Sequence, residues 1–455
     1  SFSKNCVPVH ENFIPLCPNV NDFMIMRRVS AFGLLIVLNV LTMYAQRFDD
    51  KFSDRTLRID YIFSGNANAQ QISVDELRSA EGWYGRRCNL DKLLLRGNGQ
   101  IMMTDTAACD TLYRMACRTL FQDCQGTEEA TRTHKSFENV FLLPMPKDVV
   151  DVTVELTDNH GKVSSRFTHR VFPKDILIRP ASKAYEWQYV RKAGDSRNCI
   201  DFTFVPEGYT QDEMPLFLRD CQESVDAILS HEPFKSMADK LNFVAVMAPS
   251  AESGVSIPHK SLWRNTVLNS NFDTFYSARY LTTLHLKRLH DVLAGVPSEH
   301  ILILANTDNY GGGGIFNSYL MTAAHNAMCR PVIVHELGHS FAGLGDEYYY
   351  DDQYEVLYPA GVEPWEPNIT TLTDFSSKWK DLLSPETKIP TTPSGKNVYS
   401  ELGVYEGGGY QSKGVYRPVQ ECRMKINAAP GFCPVCQRAI KRMIDYHTKD
   451  VKDIE

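Results

Sequence analysis

His335-Glu-Leu-Gly-His-Ser-Phe-Ala-Gly-Leu-Gly-Asp-Glu-Tyr348 decides how the rest of the chain is read. Its first five residues spell H-E-x-x-H. On a helix, positions i and i+4 share a face, so His335 and His339 can hold one zinc ion. Glu336 lies beside them and can take a proton from an attacking water. Pro331 and the apolar Val332, Ile333 and Val334 mark the helix as buried. Gly343 ends it, Gly345 permits a tight return, and Asp346 and Glu347 follow at once. A catalytic zinc takes three protein ligands and keeps one position open. Asp346 is the expected third ligand and Glu347 the alternative; Glu363 and Glu366 are more distant candidates.

Outward from this stretch, Gly311, Gly312, Gly313 and Gly314 follow a strand and precede Ile315-Phe316. Glycines allow another backbone to come close. No Lys-Ser/Thr follows them, which disfavours a nucleotide site. Tyr416 could supply a hydroxyl to an oxyanion, with Tyr348, Tyr349 and Tyr350 as competitors. Cys433-Pro-Val-Cys436 opens a helix running to about Tyr446. A thiol at a helix N-terminus is acidified, so a redox role is one reading. With Cys422 nearby, a structural disulfide between two of the three is the expected one. A second zinc there would need another ligand and is not expected. Asp351 and Asp352 could bind calcium, although a solvated acidic loop is the favoured reading.

The chain before this region is strand-rich from residue 46 to about 175. Thr56–Phe63 alternates apolar and polar residues, the mark of a half-buried strand. Val150, Val152, Val154 and Leu156 alternate with polar residues, Asn159-His-Gly161 supplies a turn, and Val163–Val171 returns, predicting a hairpin. A β-sandwich is expected over 46–178. Two local disulfides are expected among Cys88, Cys109, Cys117 and Cys124, because no histidine lies among them to complete a metal site. A polar linker is placed at 179–197. From 198 to 455 the pattern turns to alternating strand and helix: strands at Cys199–Val205, Leu241–Ala248 and His300–Ala305, a helix capped by Thr210 and Glu213, and a helix from Asp273 to Leu293 closed by Gly295.

The whole chain has 455 residues, a net charge of −7 and 43% hydrophobic residues, a globular composition with no basic face for nucleic acid. Arg27 and Arg28 precede an apolar run of about 15 residues ending at Ala45, short of the roughly 20 that a membrane span needs. It reads as a secretory signal over 24–45 within a leader of 1–45, cut after Ala45. Export makes disulfides plausible.

The quoted stretch, together with Asn309-Tyr-Gly-Gly-Gly-Gly314, Tyr416-Arg-Pro418, Cys422-Arg-Met424 and Phe432-Cys-Pro-Val-Cys436, resembles the IgA-peptidase family of secreted bacterial zinc endopeptidases, which are related to the metzincins. The resemblance covers most of the chain after the leader. It implies an α+β multidomain protein, an N-terminal all-β sandwich followed by a metzincin-like α/β zinc peptidase domain acting on protein or peptide substrates. It implies that Met424 forms a methionine turn beneath the metal, and that a peptide lies along an edge strand near Gly311–Gly314. General metzincins carry Gly three residues after the second His and the third ligand three residues later. Here Ala342 and Gly345 occupy those positions, and Gly343 and Asp346 each come one residue late. The rival expectations are a zinc hydrolase of cell-wall peptides or another amide, a non-catalytic adhesion or binding protein, and a thiol oxidoreductase acting through Cys433 and Cys436.

Overall fold

The computed structural model describes residues 48–183, 185–351 and 356–449. The expected leader and signal peptide lie outside these residues. Among the described residues, no helix is long and apolar enough to cross a membrane.

The alternating segments form two four-stranded sheets. One has the order β5-β1-β2-β8, from β1 (Phe52–Gly65), β2 (Gln70–Glu81), β5 (Lys135–Pro146) and β8 (Arg179–Pro180). The other has the order β4-β3-β6-β7, from β3 (Gly99–Asp105), β4 (Thr111–Cys117), β6 (Val150–Thr157) and β7 (Val163–Val171). The β6–β7 hairpin pairs Val150 with Val171 and Val154 with Phe167. Val150, Val152, Val154 and Leu156 are buried, with Leu57, Ile59, Tyr61 and Phe63 of β1 in the same core. Period-two alternation thus becomes a shared apolar interior, as in a sandwich. A short helix α1 (Leu120–Gln125), capped by the Thr119 hydroxyl, follows β4.

A third sheet has six strands in the order β13-β14-β12-β10-β11-β9. β10 (Ile200–Glu207), β11 (Leu241–Val246), β12 (His300–Ala305) and β14 (Tyr319–Ala323) run parallel. Each is buried along its whole length, the property of parallel strands covered on both faces. β9 (Trp187–Arg191) and β13 (Gly312–Ile315) are antiparallel edges. The stretch 179–197 therefore supplies a strand to each sheet system, β8 to the first and β9 to the last.

Helix α2 (Met214–Leu229) connects β10 to β11. The Thr210–Glu213 box closes a single 3₁₀ turn in front of it, with Thr210 N donating to the Glu213 carboxylate at 2.8 Å. Pro215 then falls in the first turn of the α-helix, where a missing N–H costs nothing. The helix expected over Asp273–Leu293 is not formed as such: only α3 (Leu286–Val292) is α-helical, with a single 3₁₀ turn at Thr274–Tyr276. Asp273, Phe275 and Tyr276 have left-handed φ values of 62°, 52° and 63°. The Asp273 carboxylate accepts from the His259 N–H at 2.9 Å, and the Thr283 hydroxyl donates to Leu268 O at 2.7 Å. Tertiary hydrogen bonds here override the helical pattern.

After β14 comes α4 (Cys329–Ala342), which packs on β13 and β14. A small sheet of β15 (Tyr349–Tyr350), β17 (Tyr410–Arg417) and β16 (Tyr405–Gly408) follows, and the last helix is α5 (Pro434–Thr448). Sandwich and six-stranded sheet lie within one compact unit, 48–455. The fold is mixed α/β and multidomain, with a β-rich N-terminal region.

The disulfides expected in the sandwich are not formed. Cys109, Cys117 and Cys124 are free thiols, the first exposed on a turn and the other two buried. The Cys88 sulfur lies instead 3.5 Å from His447 O, far along the chain.

Candidate metal centre

Helix α4 carries the histidines because its apolar residues Ile333, Val334, Leu337 and Phe341 belong to the core beneath the six-stranded sheet. Gly343 ends it with φ of 60°, its N–H reaching back to the carbonyls of Gly338 and His339, the left-handed stop that glycine adopts without steric cost. The chain then reverses and presents Asp346, which is 6% exposed.

Three atoms converge. His335 Nε2 and His339 Nε2 are 3.0 Å apart. Each lies 3.1 Å from Asp346 Oδ1. Ligands at about 2.0 Å from a tetrahedral ion stand about 3.3 Å from one another, so the triangle fits a zinc-sized cation. The ring orientations fit as well. His335 Nδ1 is 2.9 Å from Arg423 O, and His339 Nδ1 is 2.6 Å from Leu344 O. Only an N–H can satisfy a carbonyl, so each Nδ1 carries the proton and each Nε2 turns a lone pair to the centre. Burial pulls the His339 pKa down, but the Asp346 carboxylate raises it by more, to about 9. The cluster thus favours a positive charge at its centre, which a metal ion supplies by displacing the proton. Asp346 is held well below the usual carboxylate range: burial opposes this, and the two imidazoles outweigh it.

Glu336 faces the same cleft. A Cβ on Gly312 would stand 3.3 Å from its Oε1, and one on Gly314 would stand 3.2 Å from its Oε2. The carboxylate therefore lies directly over β13. Burial raises its pKa, against the pull of His335 and His339, which suits a group that must both take and return a proton. Gly311–Gly314 line the cleft with His335, Glu336, His339 and Asp346, in a space of about 1590 Å³. The glycines are crowded where they touch the protein: a Cβ on Gly314 would meet Glu336 O at 2.5 Å and one on Gly311 would meet Phe272 at 2.5 Å. The Gly312 N–H is taken by Arg279 O at 3.3 Å. The close approach that requires glycine here is that of α4 and the 272–281 loop.

Met424 is fully buried, and its sulfur would lie 2.7 Å from a Cβ on Gly338. Its turn passes under the histidine helix and supplies the Arg423 carbonyl to His335. Tyr416 is not brought to the metal group. It sits at a bridge to Thr370 and opposite Glu406, away from the cleft lining. The tyrosine that arrives there is Tyr410, whose hydroxyl donates to Asp346 Oδ2. Its φ of 66° turns the ring inward at the start of β17. Arg279, bonded to the Tyr350 hydroxyl at 3.1 Å, also lines the cleft. Neither residue has a local sequence signal, because both reach the site through long-range packing.

The remaining candidates lie elsewhere. Glu347 points away from the histidines, accepting from Asn368 Nδ2 at 2.9 Å and lying 3.3 Å from Cys436 Sγ. Glu363 and Glu366 line the cleft but engage Asp374 N and the Tyr358 hydroxyl. The disulfide expected among Cys422, Cys433 and Cys436 is not formed: the Cys422 and Cys436 sulfurs are 3.8 Å apart, against the roughly 2.05 Å of an S–S bond. Asp351 is exposed on a turn, and Asp352 lies outside the described residues.

The family model described as IgA Peptidase M64 matches residues 189–401 and 394–444, and that described as Peptidase M64 N-terminus matches residues 47–168. The chain belongs to the IgA Peptidase M64 family. No curated protein matches it. Membership makes the chain a peptidase acting on protein or peptide substrates and implies metallopeptidase activity, and the second match assigns residues 47–168 to the M64 N-terminus.

Proposed function

We propose that this M64 peptidase is an exported zinc endopeptidase with a metzincin-like catalytic domain. The observation that carries the reading is the convergence of His335 Nε2, His339 Nε2 and Asp346 Oδ1, each imidazole locked by a carbonyl on its far nitrogen, with Glu336 in the same cleft. His335, His339 and Asp346 would hold a zinc ion, which would supply Lewis acidity toward the scissile carbonyl and the water. Glu336 takes the proton of the attacking water and delivers it to the nitrogen of the departing amine. Asp346 offers one oxygen to the ion and keeps the other on the Tyr410 hydroxyl, so Tyr410 is a positioning residue. The Met424 turn beneath α4 supports the metzincin-like reading. β13, at the sheet edge beside Glu336, is where an extended peptide is proposed to lie.

The N-terminal sandwich is proposed to bind substrate or a surface; its Arg96, Arg114 and Arg118 share the cleft lining with the metal group. The leader is proposed to be removed after Ala45 on export.

Chelation tests the zinc requirement. Dialysis against a strong chelator is expected to abolish cleavage of a denatured protein mixture, and zinc is expected to restore it. Undiminished cleavage by protein shown to be stripped of metal would overturn the reading.

A further inference from the structure

Behind the histidine centre lies a second cluster that the proposed reaction does not use. Glu347, Cys422, Cys433 and Cys436 are all buried, and one ligand atom from each falls within 4.8 Å of the others. We propose that these four side chains form a second, structural zinc site of Cys₃Glu composition.

The spacings are those of a tetrahedral ion. Zinc–sulfur bonds of about 2.3 Å place neighbouring sulfurs about 3.8 Å apart, and the Cys422 and Cys436 sulfurs are 3.8 Å apart. With zinc–oxygen at about 2.0 Å, sulfur and oxygen stand about 3.5 Å apart; Cys436 Sγ and Glu347 Oε1 are at 3.3 Å. Cys433 and Cys436 have the C-x-x-C spacing at a helix start that commonly supplies two zinc ligands. The Cys433 N–H points at Cys422 Sγ from 3.2 Å, a hydrogen bond that favours a thiolate there.

Glu347 is the ligand that sequence spacing did not reveal. It is fully buried, and no cation lies within ion-pair distance of it among the described residues. Its Oε2 has no hydrogen-bond partner. A buried carboxylate without a counter-charge is costly, and a metal ion held by its Oε1 and three sulfurs would supply that charge. Three thiolates, one carboxylate and a divalent ion leave a net charge of −2 on the site. Two buried arginines answer it: Arg417 interacts with Glu347, and Arg423 with Cys422. Neither arginine has a carboxylate within ion-pair distance among the described residues.

Four protein ligands close the site, so it offers no position for substrate. It ties three segments together: Glu347, next to Asp346; Cys422, next to the residue whose carbonyl holds His335; and the start of α5. The second ion thereby fixes the frame of the first.

Metal analysis of the purified full chain separates the possibilities. Wild type is expected to hold two zinc ions, and His339→Ala to hold one. X-ray absorption at the zinc edge of His339→Ala is expected to show a sulfur shell at about 2.3 Å. Cys433→Ser with Cys436→Ser is expected to lose that shell. Should the double variant fail to fold, the wild type still reports through the sulfur shell of its own spectrum. Alkylation of chelated, denatured, unreduced protein is expected to recover all three cysteines as separate thiols. Zinc without sulfur neighbours, or a disulfide-linked Cys422, Cys433 or Cys436 peptide, would overturn the site. One sulfur-bound zinc in both wild type and His339→Ala would leave this site standing and remove the histidine centre instead.

Discussion

Tyr410 holds a backbone conformation that a bulky residue seldom adopts, with φ of 66°, and uses it to place a hydroxyl on Asp346 Oδ2. Strain of this kind persists where surrounding structure imposes it. Partners of metal ligands typically contribute ten- to a hundredfold in affinity. Tyr410→Phe keeps the ring and removes the hydroxyl, so zinc affinity at the histidine centre is expected to fall about tenfold or more. Competition with a chromophoric chelator measures it, with affinity read for the weaker-held ion; unchanged affinity would detach Tyr410 from the centre. At this scale the sequence is legible where chemistry is local. His335, Glu336, His339 and Asp346 lie in one short run, and helical periodicity with a glycine stop brings them together. Tyr410 and Arg279 are invisible for the opposite reason. Tyr416 is the tyrosine that the sequence offers, yet its position opposite Glu406 and Thr370 keeps it from the cleft.

Among the elements, β13 and β10 make separate demands on their residues. Gly314 lies against α4 so closely that a Cβ would meet Glu336 O at 2.5 Å and the His339 Cβ at 2.9 Å. Both belong to the backbone or stem of α4 and cannot swing aside. Gly314→Ala is expected to cost about 1–3 kcal/mol in urea unfolding and to lower activity; an unperturbed protein would show that the strand gives way freely. In β10, Asp201 is fully buried and its Oδ2 has no partner. Burial raises its pKa from 3.8 to about 6, against hydrogen bonds from Ser196 and Asn242. The folded state therefore holds this proton more tightly than the unfolded chain. The resulting penalty is absent below about pH 4, sets in as pH rises, and is complete above about pH 6. Asp201→Asn is expected to unfold like wild type near pH 4 and to be more stable by about 3 kcal/mol near pH 8. An equal gain at both pH values would point to packing and away from protonation. Strands were the most legible elements, since β6, β7 and β12 follow directly from alternation or an apolar run. The 273–285 segment was not, because its polar side chains are satisfied by distant partners such as His259 and Leu268, which no local pattern reveals.

Across the whole molecule, the sandwich and the peptidase sheet are joined by partly buried polar contacts. Arg58 pairs with Asp60 at 2.6 Å within β1 and with Asp291 of the 286–292 helix at 2.6 Å, and Arg78 of β2 reaches the same Asp291 at 2.9 Å. Asn317 Nδ2 donates to Ala116 O at 2.8 Å, close behind β13. The sandwich thus braces the rear of the six-stranded sheet while its arginines line the front cleft. None of this is readable from sequence, where a polar stretch suggests separation; the structure instead places 179–180 and 187–191 in edge strands of two sheets. Together these parts frame a cleft proposed to cut peptide chains internally. Mass-spectrometric mapping of new termini, with the zinc-loaded chain and its Glu336→Ala variant each incubated with a denatured protein mixture, tests it most directly. Wild type is expected to make internal cleavages that the variant loses by at least about a hundredfold. Equal sets of new termini from both proteins would contradict it.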